Sequence, residues 1–341
     1  MKKKFFSLLL IFSFLLPLAT ACSSENDVPV SSNDTKMTDV TLNEVAHSIF
    51  YAPMYVAIEK DYFKDMGINL TLQTGFGADK TMTAVLSGNA DIGFMGSESS
   101  IYTYNEGAPD YVVNFAQLTQ RAGNFLVSKE NMDNFQWKDL KGKTVLGGRK
   151  GGMPQMVFEY ILKQNGLNPD TDLTIHQNID FGATAAAFSE SQSPYDYTVE
   201  FEPHATALEM DHKGYVVASL GKDSGYVPYT AFCAKKSFIE ANPEVIQGFT
   251  DALQKGMDYV NSHTPAEIAS VIAPQFKETD LETITTIITR YYEQDTWKDN
   301  LIFEKESFEL LQNILDEAGE LEQRAPYEEL VTNEFATKAK K

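Results

Sequence analysis

The sequence predicts an α/β protein with two lobes, mostly parallel sheets and a helical C-terminal segment. Short apolar strands alternate with helices from residue 40 to residue 235, which is typical of parallel sheets covered by helices. One unit occurs twice, about 100 residues apart, in VLSGNADIGFMGSES and AFSESQSPYDYTVEFEPHA. Each copy has a small-residue helix, a polar turn, an Asp, a strand and a Glu in the next turn. Two copies indicate two lobes with a cleft between them.

The N-terminus predicts a signal peptide over residues 1–21. Three lysines precede an apolar run over residues 5–18, which is short for a membrane span. Small residues then lead to Cys22, as at a cleavage site. This resembles a bacterial lipoprotein signal and implies lipidation of Cys22, with the protein anchored to the cell membrane on its extracytoplasmic face. The alternative is an ordinary secretory signal with an incidental Cys. Residues 22–39 are polar and predict a flexible tether.

Composition excludes some classes of partner. The net charge is −20 and no basic patch is present, so nucleic acid is not expected as a partner. Cys22 and Cys233 are the only cysteines, so lipidation of Cys22 leaves no disulfide. Cys233 lies in the apolar run TAFCA and is expected to be a buried small hydrophobe. The remaining length of about 300 residues fits one large or two medium domains.

The first half of the chain alternates between strands and helices. Pro53 is well placed at the first position of a helix, and Gly67 can end that helix. Strands are predicted over residues 40–46, 68–72, 91–95 and 111–118, and helices over residues 81–86 and 97–105. The polar stretch 119–124 is the expected first crossing between the lobes.

The second half repeats the alternation and then becomes helical. Strands are predicted over residues 143–147, 172–177, 215–219 and 229–234 and directly after Asp196, with helices between them over 182–189 and from Pro203. The segment 225–228 is the expected return to the first lobe. Helices follow to the end of the chain, one of them capped by Thr264.

Five motifs in order carry a resemblance to a known family. They are HSIFYAPMYVAIEKDYFKDMGINLTL, GFGADKTMTAVLSGNADIGFMG, DLKGKTVLGGRKGGMPQ, FEPHA and YVPYTAFCAKKSFIEANPE, and they span roughly residues 40–260. The chain is similar to the extracytoplasmic substrate-binding proteins of ABC importers, in the group that handles thiamine-pyrimidine precursors, alkanesulfonates, taurine and nitrate. It departs from the family in the turn SQSPYD and in Phe201, where Trp is common.

The resemblance implies a two-lobed type II periplasmic-binding-protein fold that closes over a small solute. Lobe one would cover residues 40–121 and 225–341, including the C-terminal helices, and lobe two residues 122–224. The expected partners are a small-molecule solute and an ABC permease in the membrane, and we expect a monomer.

Candidate ligand-binding residues lie in the turns that follow the strands, where open α/β sheets bind ligands. His47 and Ser48 follow the first strand. Two glycine-rich turns at helix N-termini could bind an anionic or carbonyl group through free N–H groups. These turns contribute Phe76, Gly77, Lys150, Gly151 and Gly152. The alternative for each is an ordinary loop residue or a plain tight turn.

Acidic residues end the twin strands. Ser97 and Glu98 follow the first, and Glu200 and Glu202 end the second. Glu202 aligns with the Glu-Pro of the family. A carboxylate in a closing cleft can accept hydrogen bonds from a ligand amine or an aminopyrimidine edge. The alternative is that these residues only favour helix N-termini.

Cationic and aromatic residues add two further candidates. Arg121, together with Arg149 and Lys150, favours a sulfonate or carboxylate, whereas the acidic residues favour an aminopyrimidine or another amine over nitrate. A zwitterion would satisfy both sets of residues. Tyr226, like Phe76, is expected to stack on a flat ligand.

The sequence offers little for catalysis, and no catalytic residue, cofactor or metal is predicted. The five histidines are scattered without zinc-ligand spacing. No Gly-x-Ser-x-Gly elbow and no Walker A motif are present. We therefore expect a solute receptor that is not an enzyme. A surface protein that binds a partner and an enzyme on the same scaffold are the alternatives.

Overall fold

Two five-stranded sheets form the framework of the computed structural model, which describes residues 37–179 and 182–339. The predicted signal peptide, most of the tether and Cys22 lie outside these residues. The strands are β1 (Thr38–Glu44), β2 (Ile68–Thr74), β3 (Ile92–Gly96), β4 (Val112–Thr119), β5 (Asn124–Ser128), β6 (Thr144–Leu146), β7 (Thr174–His176), β8 (Tyr197–Phe201), β9 (Tyr215–Ser219) and β10 (Thr230–Lys235).

Both sheets have the same topology. The first has the order β2-β1-β3-β10-β4 and the second the order β7-β6-β8-β5-β9. In each, four strands run in one direction and the fourth strand in the order runs against its two neighbours. The reversed strands, β10 and β5, are the first strands after the chain passes from one sheet to the other. We call the two halves built on these sheets the first lobe and the second lobe.

The repeated unit of the sequence is a repeated structure. The N–H of Asp91 donates to the carbonyl of Thr41, and the Asp91 carboxylate accepts the Thr41 N–H at 2.8 Å. In the second lobe, Asp196 makes the same pair of bonds with Thr144, the second again at 2.8 Å. Each Asp therefore fastens the start of its strand to the neighbouring parallel strand.

Helices cover the sheets and form the C-terminal part. The α-helices are α1 (Ala52–Glu59), α2 (Tyr62–Asp65), α3 (Ala78–Ser87), α4 (Glu98–Asn105), α5 (Met153–Gln164), α6 (Thr184–Ser189), α7 (His204–Met210), α8 (Leu220–Asp223), α9 (Lys236–Ala241), α10 (Pro243–Ser262), α11 (Pro265–Ile272), α12 (Leu281–Glu293), α13 (Lys305–Glu317), α14 (Tyr327–Leu330) and α15 (Glu334–Ala339). Short 3-10 helices cover Ile49–Tyr51, Trp137–Leu140 and Ala273–Gln275.

Local signals account for several helix boundaries. Thr264 is the N-cap of α11, as predicted, and forms a reciprocal capping box with Glu267. Gly67, at φ 74°, ends the first helical region as predicted. Several boundaries differ from the sequence prediction by one to three residues: for example, β1 begins at Thr38 instead of residue 40, and α3 begins at Ala78 instead of residue 81. None of the helices in the described ranges combines the length and the apolar character needed to cross a bilayer.

Three segments, not two, lie side by side where the lobes join. The N–H of Val227 in the return segment donates to Gln120 O in the first crossing at 2.9 Å. Gln120 in turn donates its N–H to Thr296 O at 2.9 Å, and Gln294 donates its side-chain amide to Ala122 O at 3.1 Å. Residues 294–297 follow α12, so the C-terminal helical part contributes to the junction. The exact lobe boundaries stay a prediction.

Candidate ligand-binding cleft

A cavity of about 440 Å³ lies between the two lobes. Turns that follow β1, β2 and β3 line it from the first lobe, and turns that follow β6, β7 and β8 line it from the second. These are the carboxyl ends of parallel strands, where α/β sheets bind ligands.

Seven of the predicted site residues line this cleft. They are Phe76, Gly77, Glu98, Lys150, Gly151, Gly152 and Glu200. The structure therefore brings residues from both copies of the repeated unit, and from both glycine-rich turns, to one cavity. Contact with a ligand stays a prediction for each of them.

Phe76 lies in a backbone conformation that side chains of its size rarely adopt. Its φ is 56°, and 58% of the residue is exposed. The turn is held by the N–H groups of Gly75 and Gly77, which donate to Glu44 O and Val45 O at 2.8 and 3.0 Å. A left-handed conformation costs a non-glycine residue about 1–2 kcal/mol. An exposed aromatic ring kept at this cost beside a cavity is a candidate for stacking on a ligand.

Glu98 is a buried carboxyl group in the cleft. Only 2% of the residue is exposed, and Oε2 has no hydrogen-bond partner within the described part of the chain. The carboxyl group lies against Gly96, where an added Cβ would stand 2.1 Å from Oε2. Burial raises the pKa of Glu98 to about 8, although the backbone N–H groups of Glu98 and Met153 act in the opposite direction. At pH 7 this carboxyl group is therefore mostly protonated.

Glu200 is the corresponding carboxyl group of the second lobe. It is also 2% exposed, and it lines the cleft from β8. Thr198 donates its hydroxyl to Oε1 at 2.6 Å, and Thr184 donates to Oε2 at 3.0 Å. Burial raises the pKa of Glu200 to about 7, and the two hydroxyls only partly offset it. Neither donor is charged, so no positive side chain compensates a Glu200 carboxylate.

The positive charges of the cleft lie at its mouth. Among the described lining residues every Lys and Arg is exposed, namely Lys80, Arg149 and Lys150. Arg149 pairs with Asp79 across the mouth, and Lys150 Nζ is 3.6 Å from Glu320 Oε1.

Tyr102 of the first lobe donates its hydroxyl to Gly151 O of the second at 3.1 Å. With the Arg149–Asp79 pair, this bond makes two contacts that join the lobes across the mouth. The described residues contain no group of His, Cys, Asp and Glu arranged to hold a metal ion.

Six predicted site residues are not among those that line this cavity, and ligand contact stays a prediction for them. They are His47, Ser48, Ser97, Arg121, Glu202 and Tyr226. Each is engaged elsewhere in the protein. Ser48 donates to Glu202 O at 2.7 Å, and Ser97 donates to Pro228 O at 3.0 Å.

His47 joins β1 to the C-terminal helices. Its Nδ1 is 2.8 Å from Glu44 Oε1, and its Nε2 is 2.9 Å from Gln275 O. The ring stacks on Phe276, with centroids 4.7 Å apart. Both ring nitrogens are therefore used inside the first lobe.

Glu202 anchors α12 to the second lobe. It is 1% exposed, and Oε1 lies 3.0 Å from Arg290 Nη1. The N–H of Thr206 donates to Oε2 at 2.9 Å. Burial raises the pKa of Glu202, while Arg290 and Thr206 act against this rise. The Glu-Pro turn thus has a partner for its carboxylate without a ligand.

Arg121 and Tyr226 belong to the junction between the lobes. The Arg121 guanidinium lies 4.1 Å from the centroid of the Tyr226 ring. Arg121 donates to Gly221 O at 3.0 Å, and Tyr226 donates its hydroxyl to Asp295 at 2.5 Å. The sequence could not show this, because the three segments are brought together only by the fold.

Sequence reasoning missed several residues that line the cleft. These are aromatic or polar residues carried by predicted elements, among them Tyr51, Tyr102, Asn124, Thr184 and Tyr229. Tyr102 lies four residues after Glu98 on α4, so helical spacing could have indicated it. Nothing in the local sequence distinguishes Tyr51 or Tyr229 from ordinary core residues.

Comparison with known proteins decides the family. The sequence model described as "NMT1/THI5 like" matches residues 49–268, which include both crossings and much of the cleft. The chain belongs to the NMT1/THI5-like family. A Bacillus subtilis (strain 168) relative, "Putative binding protein YtlA", is 44% identical over 325 residues, 95% of this chain and 94% of the relative. A 4-amino-5-hydroxymethyl-2-methylpyrimidine phosphate synthase of Aspergillus parasiticus is 22% identical over 62% of this chain and 63% of that enzyme.

Solved structures confirm the fold of this family member. The alkanesulfonate-binding protein SsuA from Xanthomonas axonopodis pv. citri has a TM-score of 0.70 at 14% identity, covering 86% of this chain and 98% of that one. The nitrate-binding protein NrtA from Synechocystis PCC 6803 has a TM-score of 0.69 at 16% identity, covering 89% and 88%. Candida albicans CA3427, with the generic periplasmic binding protein fold, has a TM-score of 0.66 at 13% identity, covering 87% and 97%.

Proposed function

We propose that this protein is an extracytoplasmic solute-binding lipoprotein of an ABC importer. The cavity shared by the two lobes carries this proposal, because a small organic solute bound there contacts turns from both sheets. The family, and the Bacillus subtilis relative that is named a binding protein, support it. The permease of the importer is the partner that receives the solute.

Capture works by closure of the two lobes. A solute that contacts both lobes stabilises the closed state by its higher affinity for that state. The contacts of Arg149 with Asp79 and of Tyr102 with Gly151 add to this stabilisation, because they join the lobes across the mouth. Opening breaks these contacts and releases the solute to the permease.

Anchoring through a lipid on Cys22 keeps the receptor on the extracytoplasmic face of the membrane, as a monomer. Labelling of cells with a radioactive fatty acid tests this point. Label is expected in the wild type and absent in the Cys22→Ala variant. An unlabelled wild-type protein that is secreted intact would contradict the lipid anchor but not the receptor function.

Two solute classes follow from the residues that line the cleft and its mouth. Glu98 and Glu200 favour an aminopyrimidine of the kind from which thiamine is built, and the family match to pyrimidine phosphate synthases supports that class. Arg149 and Lys150 at the mouth favour a sulfonate or taurine-like solute, and the structural neighbour SsuA is an alkanesulfonate-binding protein.

Thermal unfolding of the purified protein against a solute panel tests the receptor function. The panel contains aminopyrimidines, thiamine, taurine, alkanesulfonates, nitrate and riboflavin. A solute at 100 times its dissociation constant is expected to stabilise the protein by about 2.7 kcal/mol. No shift with any solute, together with no retained small molecule in native mass spectrometry, would contradict the proposal and favour a surface protein that binds a partner.

An enzyme on this scaffold is the remaining alternative. Mass spectrometry of each stabilising solute after incubation with the protein separates the two functions. A receptor returns the solute unchanged, whereas an enzyme yields a product in proportion to time and protein concentration.

A further inference from the structure

The charges of the cleft are arranged in two layers. The two buried carboxyl groups, Glu98 and Glu200, lie in the interior, and the lining Lys and Arg residues are exposed at the mouth. At the mouth Arg149 and Lys150 already have the acidic partners Asp79 and Glu320. An anionic group in the interior would therefore meet carboxyl groups and no compensating cation from the described lining.

We infer that the cleft is a site for a positively charged solute whose N–H groups donate to Glu98 from the first lobe and to Glu200 from the second. The inference rests on the proposed receptor function and decides between its two solute classes. It favours an amine-bearing cation and rejects a sulfonate without an ammonium group.

Glu98 provides the strongest observation, because its ionised carboxylate needs a donor for Oε2 that the described part of the protein does not supply. Its Oε2 is buried and has no partner in the described part of the chain. Leaving a buried polar atom unpaired destabilises the folded protein. The absence of a side chain at Gly96 makes room for the carboxyl group, since a Cβ there would stand 2.1 Å from Oε2. A donor from the solute would recover this cost.

The surroundings of Glu98 supply no positive charge. The rings of Tyr51, Tyr102 and Tyr229 line the same cavity, and burial raises the pKa of each, so they stay neutral. Desolvation lowers the pKa of His204, the lining histidine, which is therefore neutral at pH 7. The cation that would pair with Glu98 has to come with the solute.

Glu200 adds a second acceptor on the opposite lobe. Its two oxygens already accept from Thr184 and Thr198, which leaves further lone pairs for a solute donor. A solute that donates at both ends connects the lobes directly. A solute with a donor group at one end only is expected to bind more weakly, because it cannot donate to both lobes.

Binding of such a cation releases a proton. Burial raises the pKa of Glu98 to about 8, so at pH 7 the carboxyl group holds a proton that a bound ammonium group displaces to the buffer. The remaining charged groups around the cleft are paired or exposed: Asp79, Lys80, Glu106, Arg149 and Lys150. We expect roughly one proton to be released for each solute bound.

Isothermal titration calorimetry at pH 7 with two matched pairs of probes tests the inference. The first pair is 4-amino-5-hydroxymethyl-2-methylpyrimidine and its aminomethyl analogue, and the second is ethanesulfonate and taurine. In each pair one member adds an ammonium group. Where a pair binds at all, the member with the ammonium group is expected to bind at least about tenfold more tightly than the member without it. That difference is on the scale of a charge-assisted hydrogen bond. Titration in phosphate and in Tris buffer measures the released proton.

Variants connect this result to the two carboxyl groups. Glu98→Gln is expected to remove the preference for the ammonium group and most of the proton release. Glu200→Gln is expected to reduce the preference independently and to remove the remaining release. Glu244→Gln is the matched control, because Glu244 is exposed on α10. Thermal unfolding of each variant confirms that it is folded.

The outcomes separate this inference from the proposed function. Tighter binding of the member without an ammonium group, or an unchanged preference in Glu98→Gln, would overturn the inference and leave the receptor standing. If no probe binds, native mass spectrometry of the retained solute decides, and a retained anion without N–H groups overturns the inference. A protein that binds no probe and retains no solute contradicts both.

Discussion

His47 shows how one residue can have its charge state fixed by geometry. Both ring nitrogens face acceptors, Glu44 Oε1 at 2.8 Å and Gln275 O at 2.9 Å. A neutral imidazole donates from one nitrogen only, so only the imidazolium satisfies both contacts. Desolvation lowers the pKa of His47, but the hydrogen bonds to Glu44 and Gln275, with the Glu44 charge, outweigh it and raise the pKa.

We expect this histidine to make the stability of the protein depend on pH. Because the folded-state pKa lies above 6.5, the stabilisation is fully present below pH 6.5 and is lost as pH rises through the folded pKa. The free energy of unfolding of wild type minus that of His47→Gln is expected to be largest below pH 6.5 and to decline as pH rises through the folded pKa. Urea unfolding from pH 5.5 to 8.5 measures it. A difference that is constant, or grows with pH, would show that His47 is neutral.

Residue types alone did not separate ligand-facing carboxylates from structural ones. Glu98, Glu200 and Glu202 all end strands in the repeated unit, and the sequence indicated all three. Glu200 reaches the cleft, whereas Glu202 has Arg290 of α12 as its partner. Arg290 lies 88 residues further along the chain, and no local sequence pattern predicts its contact with Glu202.

At the scale of elements, the two aspartates of the repeated unit make equivalent hydrogen bonds. Asp91 and Asp196 each bind the N–H of a Thr on the adjacent parallel strand, both at 2.8 Å. The sequence predicted the repeat correctly, because the strand, the turn and the Asp are local features. It could not predict the partners Thr41 and Thr144, which lie 50 and 52 residues earlier in the chain.

Substitution of either aspartate is expected to cost a similar amount of stability. Asp91→Ala and Asp196→Ala each leave one strand N–H without its carboxylate acceptor, which costs about 1–3 kcal/mol. Chemical denaturation measures both against wild type. Glu244→Ala, on an exposed helical surface, is the control and is expected to change stability little. A clear loss for only one of the aspartates would contradict their equivalence.

For the whole molecule, the C-terminal helices connect the lobes as well as covering one of them. Arg290 on α12 pairs with Glu202 and Glu209 of the second lobe, at 3.0 and 2.5 Å. The next residue, Tyr291, donates its hydroxyl to Gly123 O in the first crossing at 2.9 Å. The sequence predicted these helices, but the third segment of the junction depends on contacts that only the fold makes. In the proposed closure mechanism, opening of the cleft therefore has to bend or pivot around α12 and residues 294–297.

The Arg149–Asp79 pair allows closure itself to be tested. The two side chains come from opposite lobes, and each is about half exposed, at 53% and 49% of its side chain. An exposed ion pair contributes about 0.2–1 kcal/mol, and in the proposed closure mechanism this one is made only in the closed state. Arg149→Ala and Asp79→Ala are therefore expected to raise the rate of solute release by up to about fivefold, with little change in the association rate.

Stopped-flow release of a bound solute measures these rates in the two variants and in the double variant. Because both changes break the same contact, the double variant is expected to release solute no faster than either single one. Lys80→Ala is the control, since Lys80 is exposed at the same mouth and its nearest partner, Phe76 O, belongs to its own turn. Additive effects of the two changes would show that Arg149 and Asp79 act separately, for example by contacting the solute, and the pair would then not be a contact of the closed state.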